Sequence, residues 1–495
     1  MILQENIARK CTYYAKEAVV LLGADHMETN EKFCCQAIEI DITPQKPVAL
    51  VGQYYHRLAT EVYSPLCANI LALRKGKETA VFVACEWLGV PDEFIEYAKS
   101  LLLEKDPDFP TDSVIFSATH THTAPYVYDN HGSKTWGRDF DWVRTNEEEL
   151  SPEEYRKFVA ERITDGILKT YSTCVPAVVS SGIRELSISF NRRSVYADGS
   201  AIMYGNTNRD DFVRMEGSSD NGVHFFALED LQGKLIAAVI EIACPSQVLE
   251  HHCFVSSDYW NEVRNRLKAL YGEATTIIGL CGAAGDLSPR DLVRAAMPEP
   301  DMHSTKMYQP EGTFYLADMI TAAFQEFMGT RIKQENPQLQ HLSRVVELPL
   351  WTVTEQEYLQ AEKAYQEKRA LHEQMKDFTE AESYAMSIDA GIIIRWREQQ
   401  KSLTHSVEIH IVKLGDALFA TNPFELFVEY ADRIRSRSNC RNTVVVQLAG
   451  GYQGYLPSAV AVEHGGYSAL VCNGLYASDG GDKLVSETLD MIAKM

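Results

Sequence analysis

The sequence predicts an α/β (α+β) fold of packed mixed β-sheets flanked by helices, on three observations. Strand-like runs outnumber helical ones through the core, and two of them meet at Asp230-Leu-Gln-Gly233, a hairpin signal. Residues 353–400, rich in Glu, Lys, Gln and Ala, read as two helices packed as an external antiparallel hairpin whose charges form a solvated face. Half-apolar sheets and striped helices must bury those surfaces against each other, which gives layers. A soft prior of roughly 150 residues per domain would divide 495 residues into two or three units. No Pro/Gly/Ser-rich linker marks a cut, so a single domain spanning 1–495 is expected, with the helical hairpin as an insertion.

In chain order, Glu5 to Leu22 reads as an amphipathic helix that Gly23 stops. Strands follow at Gln36 to Pro44, Cys67 to Arg74 and Thr79 to Gly89, then a helix over Pro91 to Leu103. Val114-Ile-Phe-Ser-Ala-Thr-His120-Thr-His122-Thr-Ala-Pro125-Tyr126 starts β-branched and aromatic and ends at proline, so it reads as a buried strand running into a loop. Strand side chains alternate faces, which places His120 and His122 on the same side. Asp129 to Ser151, polar and aromatic without periodicity, is expected to form a long loop over the site. Residues 152–172 make a helix; strands return at 177–182, 186–193, 222–229 and 235–244. Ser257 to Tyr271 is helical, Thr275 to Leu280 a strand, and Cys281 to Pro289 a glycine-rich turn. Beyond the helical hairpin come strands at 406–413 and 417–420, a turn at Asn422-Pro423 into a helix beginning Phe424-Glu425, and a last strand, 443–448, opening into Ala449 to Pro457.

A formal net charge of −22 argues against nucleic acid and anionic membrane as partners, since both call for clustered Lys and Arg. No apolar run approaches the ~20 residues that span a bilayer. The N-terminus lacks the basic, apolar and small-residue succession of a secretory signal, and eleven scattered cysteines without CxxC pairs suit reduced thiols. A cytoplasmic protein acting on a small molecule is expected, with assembly into a homo-oligomer left open.

Two imidazoles aimed at one spot suggest a metal, a proton relay, or one of each. Taken singly, the other polar motifs have plain structural readings. Gly285-Asp-Leu-Ser288-Pro can be a turn, Glu425 an acid in the first turn of its helix, Tyr452 and Tyr455 core aromatics, and Arg192 a carboxylate's partner.

Taken together, Asp41-Ile-Thr-Pro44, Ser-Ala-Thr-His120-Thr-His122-Thr-Ala-Pro, Asn191-Arg192-Arg193, Ala-Gly285-Asp286-Leu-Ser288-Pro289, Pro423-Phe-Glu425-Leu-Phe and Gly-Tyr452-Gln-Gly-Tyr455-Leu-Pro with Gly-Gly-Tyr467 resemble, in this order and spacing, the neutral/alkaline ceramidase family. The resemblance runs from about residue 36 to the end. It implies a zinc-dependent amidase. His120, Glu425 and Tyr455 would be zinc ligands, His122 the general acid/base, Ser288 the nucleophile or metal-adjacent hydroxyl, and Arg192 and Tyr467 the groups holding the carbonyl oxygen. These roles suit the residue types: carboxylate and phenolate lower the charge of zinc, zinc lowers the pKa of a hydroxyl or water, and Arg and Tyr donors stabilise an oxyanion.

There are three departures. Where the family has a second ligand histidine before a proline or glycine, this chain reads Ile242-Ala-Cys244-Pro245-Ser246-Gln247, leaving Cys244 as a tentative thiolate ligand, with His251 and His252 as alternatives. The chain ends soon after the tyrosine motif, where secreted members continue into a C-terminal immunoglobulin-like β-sandwich. Nothing in it looks like a lipid-facing element. A hydrolase cleaving an amide (N-acyl) bond in a small soluble substrate, rather than ceramide, is therefore expected, with zinc as its cofactor. Two alternatives stay open: a catalytically inactive ligand-binding protein of the same fold, and a metal-free serine hydrolase on Ser288 and His122.

Overall fold

An eight-stranded sheet curls around an inner core that a four-stranded sheet closes. The large sheet comprises β1 (Cys34–Asp41), β2 (Cys67–Lys75), β3 (Glu78–Cys85), β4 (Val114–Ala118), β5 (Val175–Glu185), β6 (Gly222–Asp230), β7 (Leu235–Ile242) and β8 (Thr276–Cys281). They lie in the order β8-β7-β6-β5-β1-β2-β3-β4. The small sheet runs β9 (Leu339–Pro349), β10 (Thr404–Leu414), β11 (Ala417–Thr421), β12 (Asn442–Val446). Neighbours are antiparallel except the pairs β7–β8, β3–β4 and β11–β12. The computed structural model describes residues 32–127, 149–298, 300, 302–372 and 379–495. The expected helix at Glu5 to Leu22 lies outside these residues, as does the expected loop from Asp129 on, apart from Glu149 to Ser151.

Period-two alternation divides each strand between two cores. Ala80, Phe82 and Ala84 of β3 face the small sheet, while Val81, Val83 and Cys85 face helices. Phe82 and Phe226 meet Phe419 of β11 with ring centroids 5.4 and 4.8 Å apart. Outside, α1 (Asp92–Lys105) and α2 (Pro152–Ser172) cover β1 to β4, and α3 (Tyr259–Tyr271) and α4 (Pro310–Thr330) cover β6 and β7. The second helix shows why the sequence places it so sharply: Ser151 and Glu154 form a capping box, Pro152 opens the first turn, and Tyr155, Val159, Ile163 and Ile167 repeat at helical spacing on its buried side. The hairpin expected at 353–400 is α5 (Glu355–His372) and α6 (Glu380–Gln399). Among the described residues no helix is long and apolar enough to cross a membrane.

The curl brings strand ends together that a flat sheet would keep apart, as twist demands of eight strands. Ser246, after β7, donates its hydroxyl to the carbonyl of Thr119, after β4, at 2.7 Å. Ala118 N donates to Leu448 O at 3.1 Å, and Gln447 N, after β12, to Cys281 O at the end of β8 at 2.9 Å. The candidate site occupies this junction.

Candidate active site

Strand β4 stops at Ala118, so pleat alternation does not aim the two histidines. His120 instead sits at φ 66°, in the left-handed region, and its backbone N–H donates to Trp87 O at 2.9 Å. Its Nδ1 lies 2.8 Å from Leu88 O. A carbonyl only accepts, so Nδ1 carries the proton and Nε2 faces Glu425 Oε2, 3.3 Å away. The His120 and His122 rings meet edge to face, centroids 5.0 Å apart.

Glu425 is not in a helix. Glu425–Leu426 pairs in parallel with Tyr455–Leu456, Glu425 opposite Tyr455, and the expected helix begins only at Val428. That nonlocal pairing brings two predicted ligands side by side. Tyr452 donates its hydroxyl to Glu425 Oε1 at 3.0 Å, and the Tyr455 hydroxyl is also bonded to the carboxylate. Gly285 lies so close to Glu425 O that any Cβ would collide with it, which accounts for the glycine before Asp286. Burial pushes the Glu425 carboxyl up, but His120, Tyr455 and Arg192 outweigh it and hold the group below its ordinary range. Burial, then Glu425, push the Tyr455 phenol well up, so it is neutral and a donor.

Arg192 joins this cluster to His122. Its Nη2 donates to Gly285 O at 2.9 Å and Tyr455 Oη at 3.3 Å; its Nη1 donates to Gln247 Oε1 at 2.9 Å and Tyr204 Oη at 3.1 Å. A guanidinium cannot accept, so the Gln247 oxygen must face it and the amide nitrogen must donate to His122 Nε2, 2.7 Å away. His122 is thereby fixed with its proton on Nδ1, turned toward Glu250 Oε2 at 3.7 Å. Burial, then His120, Arg57 and Arg192, push the His122 pKa well below the usual imidazole value. Burial raises the Glu250 carboxyl to about 7, against the pull of Arg192, Arg290 and Arg57.

The structure thus brings together His120, His122, Arg192, Glu425 and Tyr455, with Tyr467 edge-on to Tyr455 at 5.5 Å. Ser288 is one residue removed. Its hydroxyl bonds Tyr204 rather than His122, whose Nε2 is taken by Gln247. Cys244 does not join the site. Its thiol donates to Ile188 O at 3.5 Å inside an apolar cluster, and burial outweighs a hydrogen bond from Ser189 and pushes its pKa well up, which disfavours a thiolate there. From the same segment it is Gln247 that arrives. His251 lies 3.6 Å from Glu250 Oε1, whereas His252 stacks on Phe254 at 4.7 Å. Sequence reasoning missed Gln247, Glu250, Tyr204 and the grip of Tyr452 on Glu425; the only signal was that Gln247 stands in the segment where the family's histidine is missing.

These residues open onto a cavity of about 530 Å³, lined by His122, Arg192, Gln247, Glu250, Tyr455 and Tyr467 among others. Ala381 and Tyr384 of α6 also line it, so the hairpin expected to be purely external forms part of the wall. Among the described residues no three His, Cys, Asp or Glu side chains gather at metal distance; the third donor beside His120 and Glu425 is Tyr455. The donor set fits a zinc ion nonetheless. His120 Nδ1 is held by a carbonyl in the way metal-bound histidines are, and the 3.3 Å between His120 Nε2 and Glu425 Oε2 matches the roughly 3.4 Å between two tetrahedral ligands at 2.0–2.2 Å from zinc.

Fold and site together define a neutral-ceramidase-like protein fold. Solved structures that share it include neutral ceramidase from Pseudomonas aeruginosa, with a TM-score of 0.66 over 93% of this chain and 74% of that one, and a ceramidase complexed with C2, with a TM-score of 0.65 over 93% and 75%. Identity to each is 14%. No family model and no curated protein matches the sequence.

Proposed function

We propose that the chain is a hydrolase that cleaves an amide (N-acyl) bond in a small soluble compound. The observation that carries this is Arg192, a buried guanidinium lining the cavity and touching both the Glu425–Tyr455 cluster and the His122–Gln247 pair. Its charge would stabilise the negative charge that a carbonyl gains under attack, and Tyr467 borders the same cavity. The His122–Glu250 pair is the proton carrier: it takes a proton from the attacking water as oxygen bonds to the carbonyl carbon, and returns it to the nitrogen as the C–N bond breaks, leaving a carboxylic acid and an amine. His120, Glu425 and Tyr455 would hold zinc, which supplies Lewis acidity when bound.

The test is release of amine from a panel of short N-acyl amides by the purified protein, with metal content measured in parallel. Turnover that falls on chelation and returns with zinc supports the whole reading; turnover indifferent to chelation removes the metal. Saturation of His122 Nε2 by Gln247 favours one rival, a binding protein of the same fold. Ligand binding without any turnover would establish that rival instead.

A further inference from the structure

Resting on the hydrolase reading, we infer that the cavity beside Arg192 takes a ring rich in hydroxyl groups, a sugar or cyclic polyol, as the amine half of the amide. The aromatic side of the cavity is made of tyrosines. Tyr54, Tyr384 and Tyr467 pack edge to face, with centroids 5.2, 5.6 and 6.0 Å apart, and Tyr308 carries the Arg290 guanidinium 3.6 Å above its ring. Rings of this kind offer faces to the C–H groups of a saturated ring and hydroxyls to its oxygens. The remaining lining supplies donors and acceptors: the Glu250 carboxyl, the Gln53 amide and the His251 imidazole.

An acyl or alkyl chain would meet tyrosine rings and polar groups here rather than aliphatic side chains. Among the described residues, no Leu, Ile, Val or Phe lines the cavity, and Met203 and Ala381 are its aliphatic side chains. An alkyl chain offers no hydrogen bond to the carboxyl, amide and phenol groups of the lining, whose oxygens can accept further donors beside the partners they already have. A polyol ring satisfies those groups, and about 530 Å³ lies in the usual range for a small-ligand pocket. The wall also depends on the hairpin, because Tyr384 is contributed by α6, so the hairpin helps shape the amine subsite.

The experiment uses the full chain and three probes: N-acetylglucosamine, N-acetylcyclohexylamine, which has the same ring size without hydroxyls, and N-octanoylcyclohexylamine. Binding is read by calorimetry and cleavage by amine release. The amino sugar is expected to bind at least about tenfold tighter than either cyclohexyl amide, since sites built for hydroxyls reject analogues lacking them. Tyr384→Phe and Tyr384→Ala, checked for folding by circular dichroism, are expected to weaken binding of the sugar several-fold more than binding of N-acetylcyclohexylamine. Equal or tighter binding of a cyclohexyl amide, or binding of none of the three, overturns the polyol subsite. Amine release from N-acetylcyclohexylamine alongside such a result leaves the hydrolase reading standing. Sugar binding with no amine release from any probe supports the subsite and overturns the hydrolase reading.

Discussion

The two halves of the site differ in how completely their polar atoms are matched. Around Glu425, Oε1 accepts from Tyr452, Oε2 faces His120, and Tyr455 adds a further donor, so the carboxylate is held ionised. Around His122, Nδ1 meets no hydrogen-bond partner among the described residues, Glu250 stands 3.7 Å off, and its carboxyl is pushed up to about 7. A matched cluster resists change of charge, whereas a loosely matched pair near neutrality can gain and lose a proton at little cost. The first half suits a fixed cation and the second suits proton transfer; Arg192 ties them together.

The comparison breaks most severely at that tie. Arg192→Leu is expected to lower kcat/KM by about 10³-fold or more, since one oxyanion donor is worth 10²–10³ and Gln247 and Tyr455 lose their anchor as well; steady-state kinetics on a cleaved amide decides it. Next, His120→Ala should abolish retention of zinc through gel filtration and destabilise the fold by about 3 kcal/mol, because Glu425 is left buried without its partner. Elemental analysis and denaturant unfolding check the two effects separately. If zinc stays, the fixed-cation role of this half is wrong.

Gln247→Leu leaves His122 Nε2 without its donor and takes from Arg192 Nη1 one of its two acceptors, and a drop of about 10- to 100-fold in kcat with little change in KM is expected. The nitrogen NMR shifts of His122 should show the loss of its fixed tautomer; an unchanged tautomer would make Gln247 a bystander. The proton-transfer half predicts a pH profile. Glu250 is ionised above about 7 and protonated below it, so kcat/KM should rise with pH up to about 7 and then level off. Glu250→Gln should remove that limb, and an intact limb in this variant would assign it elsewhere. The smallest effect concerns the apolar neighbourhood just behind the site: Cys244→Ala should cost about 1 kcal/mol of stability and leave metal content unchanged.

Particular residues show where sequence reading succeeds. Motif order singled out His120, Glu425 and Tyr455, and their convergence in space is observed: His120 and Glu425 stand 3.3 Å apart although 305 positions separate them. The helices at Asp92–Lys105 and Pro152–Ser172 were legible from their pattern, and the two helices of the hairpin from their composition. Elsewhere the same local signals misled. A carboxylate three residues ahead of an amphipathic run looks like a first-turn acid, yet Glu425 belongs to a two-residue strand because Tyr455 pairs with it. Pleat alternation gave the right neighbours, His120 and His122, for the wrong reason, since the chain has left the sheet and turned through a left-handed residue.

By itself the sequence determined the period of elements such as Pro152–Ser172 and which residue types could do chemistry, because these depend on contacts within a few positions along the chain, whereas the helix Pro310–Thr330 and the strand Leu339–Pro349 were not read from it. Only tertiary structure decided which residue of Cys244-Pro-Ser-Gln247 reaches the histidine. That choice depends on the curl of an eight-stranded sheet, which docks the exit of β7 on the exit of β4 through Ser246 and Thr119 and turns Gln247 inward while Cys244 stays in the apolar core. The same long-range docking set Glu250 beneath His122 and laid Tyr384 of the hairpin over the cavity. Such approaches are fixed by the packing of whole layers, and no local run of residues records them.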